Sequence, residues 1–232
     1  MNQMISINDV KQFVAQITTQ LIPQLQLDST DPLEPIQVLA YPQPWLLLGA
    51  GNYAAVFTHP EYPRYAVKVY APGKPGLEAE CEVYRLLGDH PSYSTCHYAE
   101  DSFLVLKQLM GTTIYDCFQR GIFIPEQAVR DIEQAMHYAR SVGLRPHDVH
   151  AKNIMLYQGR GLVVDVSDFL KQEPCRMWED FKKAYDRVYY PIASRLLFPL
   201  PPFLLEGVRK GYQIYRRRRR KTKQLPPQVP QA

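Results

Sequence analysis

The order of hydrophobic periodicities predicts an α+β fold in which a sheet-rich lobe precedes a helical one. Two observations carry that expectation. Short apolar runs broken by glycine and proline cluster between Trp45 and Leu109, with one helical segment among them. Helical spacing then dominates from Glu126 onward, interrupted by a single hairpin. A chain of 232 residues, 46% of them hydrophobic, can bury a real core as one domain or two small lobes.

Residues Ile7 to Leu25 read as a helix, because Val10, Phe13, Val14, Ile17 and Leu21 share one face and Ser6 or Asn8 can cap it. The segment Asp28 to Pro44 carries Pro32, Pro35, Pro42 and Pro44 and is expected to be a linker. Strands follow at Trp45–Leu48, Ala54–Thr58 and Tyr65–Tyr70, separated by Gly49, Gly51, Pro60 and Pro63. Ala71 to Gly76 forms a turn, Leu77 to Leu87 a helix, and Phe103 to Leu109 a strand leading into Met110-Gly111. A helix over Glu126–Val142 places Val129, Ile132, Met136 and Ala139 on one face, with Pro125 suited to its start and Gly143 to its end. The apolar runs Ile154–Leu156 and Leu162–Val164 flank a glycine-containing turn and form a hairpin. Helices over about Arg176–Leu197 and Leu204–Arg220 finish the chain.

Several classes are excluded by composition. No apolar run approaches the roughly 20 residues needed to span a bilayer, and the N-terminus lacks the basic-then-apolar design of a signal peptide. Cys81, Cys96, Cys117 and Cys175 are scattered without a C-x-x-C, which argues against zinc and against a disulfide framework. The expected compartment is the reducing cytoplasm. Seven of the eight residues from Arg216 to Lys223 are basic against a net charge of +4, so the rest of the chain is mildly acidic. There is no internal repeat.

The chemistry-bearing residues come in a particular order. Gly49 and Gly51 stand two apart between strands, where the missing Cβ lets backbone approach phosphate oxygens. The run lacks the G-K-[ST] of a Walker loop, and a strand follows it where a dinucleotide fold needs a helix. Lys68 lies inside an apolar strand on the face of Ala66 and Tyr70. On the next helix, Glu80 falls on the face of Leu77, Tyr84 and Leu87, while Glu78 and Glu82 lie further round. A glutamate on a packing face needs a partner, and Lys68 is the obvious one. Further on, Asp148 precedes Asn153 by five residues, and Asp165 ends the second strand of the hairpin. One aspartate to orient a hydroxyl, with an asparagine and a second aspartate to hold Mg²⁺, suits phosphoryl transfer.

In this order the residues resemble the protein-kinase-like superfamily. Gly49, Gly51, Tyr53 and Val56 match its glycine-rich loop, Lys68 the strand lysine and Glu80 the helix glutamate. Asp148 matches the catalytic aspartate, and Asn153 and Asp165 the metal ligands. FLVLKQLMG, Phe103 to Gly111, resembles the strand and hinge that receive adenine. The resemblance implies that Ala66 and Leu106 border the adenine, and that Lys107 and Leu109 offer it backbone contacts. It further implies a two-lobe fold with a small antiparallel-sheet N-lobe and a truncated helical C-lobe, and ATP and Mg²⁺ as cofactors. The expected division is 1–44 (N-terminal helix and Pro-rich linker), 45–109 (nucleotide-binding N-lobe), 110–215 (helical C-lobe with catalytic loop) and 216–232 (a basic, disordered tail).

The sequence departs from the family at several places. Ala54 replaces the third loop glycine, Pro146 stands two before Asp148, and His147 directly precedes it. The pattern D-x-H-x-x-N, with His150, is closer to aminoglycoside and choline kinases, whereas Asp165-Val166-Ser167 resembles the Asp-Val-Ser of RIO-type atypical kinases. Asp168-Phe169-Leu170 is a rival frame for the metal aspartate. No A-P-E follows, so the activation segment is absent. The family implies transfer to Ser/Thr hydroxyls on a protein, in the manner of small bacterial serine/threonine kinases. A small-molecule alcohol as acceptor, or a pseudokinase acting as a partner-binding module, are the alternatives. Arg216–Lys223 offers a surface for acidic lipid, nucleic acid or an acidic protein, with peripheral membrane attachment among its outcomes.

Overall fold

The computed structural model describes residues 7–29 and 35–224. Helix α1 (Ile7–Gln16) continues through a wide turn, Ile17–Leu21, and a tight one, Ile22–Gln24, so the whole predicted segment is helical. The segment expected to be a linker carries a strand. Gln26–Asp28 (β1) and Gln37–Ala40 (β2) pair antiparallel, and Pro35, Pro42 and Pro44 lie outside the paired residues. The Ile36 N–H then donates to the Gly51 carbonyl (2.9 Å), tying this segment to the glycine loop.

Five antiparallel strands form the main sheet in the order β3-β4-β5-β7-β6: β3 (Leu46–Ala50), β4 (Ala54–Thr58), β5 (Tyr65–Tyr70), β6 (Cys96–Glu100) and β7 (Phe103–Lys107). Strand β6 was not anticipated, because CHYAE is a polar edge strand with no apolar alternation of its own. Strand β5 is buried on both faces for a reason seen in its neighbours. Tyr65, Val67 and Val69 join Phe57, Phe103 and Val105 beneath Phe13, Ile17 and Leu21 of the N-terminal helical segment. Ala66, Lys68 and Tyr70 face the other way, toward α2 (Leu77–Leu87) and the second lobe. The N-terminal helix thus roofs the outer face of the sheet.

The second core joins Val83, Tyr84 and Leu87 of α2 to the helical lobe. That lobe begins with β8 (Thr112–Thr113) and the unanticipated α3 (Ile114–Arg120), only two turns long but capped at both ends. The Thr113 hydroxyl accepts from the Asp116 N–H, and Gly121 closes the helix in the left-handed region. Helix α4 (Glu126–Ser141) packs against the hairpin β9 (Ile154–Tyr157)–β10 (Arg160–Val163), which β8 extends to three strands. Gly161 permits this packing, since a Cβ there would collide with the Ala128 carbonyl and Ile132. Asp131, buried in the same seam, accepts from Arg160 Nε (2.6 Å), the Gly161 N–H (3.1 Å) and Gln127 Nε2 (2.8 Å).

Helices α5 (Met177–Ala184), α6 (Tyr190–Ala193) and α7 (Pro202–Gln224) end the description. The backbone stays helical through Gln224, and the last part of the expected basic tail, 225–232, lies outside the described residues. Among the described residues no helix is long and apolar enough to cross a membrane.

Candidate active site

A cleft of about 1740 Å³ separates the sheet from the helical lobe. Gly49, Gly51, Tyr53, Val56, Ala66, Lys68, Leu106, Lys107, Leu109, Asp148, Asn153 and Asp165 all line it. Glu80 is the one proposed site residue that does not, because it is fully buried behind Lys68. Small-molecule pockets usually occupy roughly 300–1,000 Å³, so a second substrate fits beside a nucleotide-sized one.

The sheet supplies one wall. Gly51 accepts at its carbonyl from Ile36 and donates at its N–H to the Ala54 carbonyl (2.9 Å), which shapes the loop between β3 and β4. Ala54 keeps an ordinary negative φ, so the missing third glycine costs nothing. At the inner end, Leu106 is buried opposite Ala66 in the β5–β7 register. The Lys107 backbone is partly committed: its N–H donates to the Thr95 carbonyl (2.8 Å) and its carbonyl accepts from the Ser94 hydroxyl (2.7 Å), leaving one lone pair for a ligand.

Lys68 holds the centre. Its ammonium lies 2.7 and 2.9 Å from the two Glu80 oxygens and 3.4 Å from Asp165 Oδ1. The Tyr70 hydroxyl donates to Glu80 Oε2, the oxygen nearer the ammonium, so both oxygens of this buried carboxylate have partners. Burial by itself would push the Lys68 ammonium down, but Glu80 and then Asp165 outweigh it and hold the group above the ordinary lysine range. Burial, followed by Glu80, raises the Tyr70 phenol and keeps it a donor. Asp165 also feels burial first, against its ionisation. Lys68 and the Ser167 N–H (3.1 Å) outweigh that and hold it below the usual carboxylate range.

The opposite wall is the loop between α4 and β9, anchored by the buried Val149 and Ile154. Asp148 sits at φ 58°, a left-handed conformation that aspartate tolerates better than most residues but still at some cost in strain. Two contacts hold it there: its N–H donates to Cys175 Sγ (3.4 Å), and its carbonyl accepts from Asn153 Nδ2 (3.0 Å). That bond leaves Asn153 Oδ1 as the atom available for a cation. His150 accepts at Nδ1 from the Lys152 N–H (3.2 Å), which puts its proton on Nε2, 3.6 Å from Asp148 Oδ2. Asp168 instead pairs with Lys171 (2.7 Å) and lies 3.6 Å from His147 Nδ1, away from Lys68.

A B. subtilis (strain 168) protein named "Putative serine/threonine-protein kinase YrzF" is 33% identical over 165 residues, covering 69% of this chain and 75% of that protein. The chain belongs to the protein-kinase-like superfamily. Membership makes it a kinase-like phosphotransferase. No protein-family model matches the chain. Among solved structures, the kinase domain of PknI from Mycobacterium tuberculosis aligns with 24% identity and a TM-score of 0.42, over 55% of this chain and 59% of that one.

Other cleft residues carried no local signal in the sequence. Tyr70 could have been found, since strand alternation already puts it beside Lys68. Ser94, Tyr115 and the α7 residues Leu205, Arg209 and Tyr212 could not, because only tertiary packing brings them to the cleft. Helix α7 leans on the lobe through Tyr212, whose hydroxyl donates to Asp180 (2.9 Å), and Glu206, which accepts from the Tyr115 hydroxyl (3.4 Å). The cleft therefore extends to residues well beyond Asp168 in the sequence.

Proposed function

We propose that this chain transfers the γ-phosphoryl group of ATP, with Mg²⁺, to a serine or threonine hydroxyl on a protein, as a minimal kinase with RIO-like features. The observation that carries this reading is Lys68 fixed between buried Glu80 and Asp165, facing Asp148 and Asn153 across one cleft. Residues 45–109 then form the nucleotide lobe and 110–215 the catalytic lobe.

Lys68 is the cation for the α- and β-phosphates, and Glu80 with Tyr70 sets its position. Gly49 and Gly51 let the loop backbone cover the phosphates, with Tyr53 and Val56 flanking. Adenine lies between Ala66 and Leu106 against the backbone of Lys107 and Leu109. Asp148 orients the acceptor hydroxyl and takes its proton. Asn153 and Asp165 offer hard oxygen ligands in a set too small to cage a metal alone, which suits Mg²⁺ shared with substrate phosphates. When bound there, the ion would neutralise charge developing on the phosphoryl oxygens.

The decisive experiment measures label transfer from γ-labelled ATP to the chain itself and to a protein mixture. Asp165→Asn should abolish transfer while the melting temperature stays within a few degrees; Asp168→Asn should retain it. A wild-type chain that labels no protein and no small alcohol removes the enzymatic reading and favours a pseudokinase, which a thermal-shift titration with ATP, with and without Mg²⁺, then tests. The α7 residues that line the acceptor end and the position of His150 beside Asp148 favour a second reading, a small hydroxylated acceptor. Turnover that depends on one small alcohol, with no labelled protein, would select it.

A further inference from the structure

Helix α7 has two dissimilar sides. Leu205, Glu206, Arg209 and Tyr212 turn toward the lobe and the cleft. Phe203, Leu204 and Ile214 are 78%, 46% and 51% exposed and share the opposite half of the helical wheel, while Val208 stands at the edge of the cleft. Gly207 and Gly211 fall within that half, and Lys210 stands at its edge beside Phe203. An apolar helix side facing away from its own lobe is the reverse of what packing within the chain would produce.

The approach to the helix repeats the pattern. Leu196, Leu197 and Phe198 are exposed, although the backbone there is anchored, with the Leu200 N–H donating to the Phe118 carbonyl (2.9 Å). Exposed aliphatic and aromatic residues thus continue from 196 to 214, a concentration that marks an interaction surface. The next residues in the same helix are Arg216–Lys223, seven basic residues in eight, on a chain otherwise mildly acidic.

We propose that α7 is a membrane-surface helix. It lies in the interface of an anionic phospholipid layer with Phe203, Leu204 and Ile214 in the acyl boundary, and the basic block of the same helix supplies attraction to the anionic headgroups. Charge complementarity selects the anionic surface, and the apolar side selects lipid over nucleic acid, whose backbone is met by basic and polar groups with no use for exposed aliphatics. Because the inner side of α7 borders the cleft, docking would hold the acceptor end close to the lipid surface.

The test is co-sedimentation of the full chain with vesicles. Mixed phosphatidylglycerol–phosphatidylcholine vesicles should bind it at least about 100-fold more tightly than pure phosphatidylcholine, since each basic residue near the surface contributes about fivefold. The variant F203S/L204S/I214S keeps every charge and touches only side chains outside the cleft lining. It should melt with the wild type yet bind anionic vesicles at least about tenfold more weakly. In F203W, fluorescence should shift to the blue on vesicle addition and be quenched by brominated acyl chains, over the constant signal of buried Trp45 and Trp178. The proposal is overturned if the anionic vesicles are not bound. It is equally overturned if F203W shows no shift, or if the apolar variant binds vesicles and duplex nucleic acid as the wild type does, which would make the basic block a general polyanion tail.

Discussion

Consider replacing Lys68 by methionine. Glu80 is fully buried, and its charge is balanced by one ammonium at 2.7–2.9 Å and one phenol. Removing Lys68 leaves the carboxylate with Tyr70 alone, and stranding one member of a buried pair costs about 3–5 kcal/mol. For a chain of this size each kcal/mol moves the melting temperature by about 2–4 °C, so Lys68→Met should melt about 6–20 °C lower. Glu80→Gln is milder, because the amide still bonds both neighbours and Asp165 remains 3.4 Å from the ammonium. About 2–3 kcal/mol, or about 4–12 °C, is expected. The informative variant is the double, Lys68→Met with Glu80→Gln, in which no charge is stranded and glutamine still accepts from Tyr70. It should melt above Lys68→Met alone, while all three variants lose phosphate transfer. Differential scanning calorimetry reads the first outcome and γ-phosphate labelling the second. A double variant that melts at the sum of the two single losses would mean that the pair is not coupled, and the reasoning from burial would fail.

Phe13→Ala removes a fully buried ring from the roof of the sheet and should cost about 3–5 kcal/mol by urea denaturation; a cost under about 1 kcal/mol would show that the N-terminal helix is not part of the folded core. Ile36→Pro removes the N–H donor to the Gly51 carbonyl. With the loop less constrained, KM for ATP should rise several-fold while kcat holds, and an unchanged KM would deny the tie any role. Asp131 is held below the usual carboxylate range because Arg160, Gln127 and the Gly161 N–H outweigh its burial. Its contribution is therefore present above the unfolded pKa near about 4 and is lost as pH falls through the lower folded value. Asp131→Asn should lower stability at pH 7 and flatten the acid limb below about pH 4, seen in melting temperature against pH.

The cluster around Lys68 was legible in the sequence because each of its residues interrupts a local pattern. Lys68 breaks an apolar strand, Glu80 breaks the packing face of a helix, and Asp165 follows the second strand of a hairpin. Local periodicity also placed β4, β5 and α2 at their observed bounds. What it could not supply was anything decided by residues distant in the chain. Strand β6 exists because β7 presents it an open edge, and β1 and β2 pair across intervening prolines. The burial of β5 on both faces follows from α1 folding back over the sheet, and that Lys68 reaches Asp165 while Asp168 pairs with Lys171 is decided by tertiary packing. Leu204–Arg220 read as a helix from spacing alone, inside the observed Pro202–Gln224, but which of its sides meets the lobe depended on where Asp180 and Tyr115 lie. Backbone propensity and side-chain period act within a few residues, whereas burial and ion pairing are properties of neighbours in space, and only the folded chain chooses those.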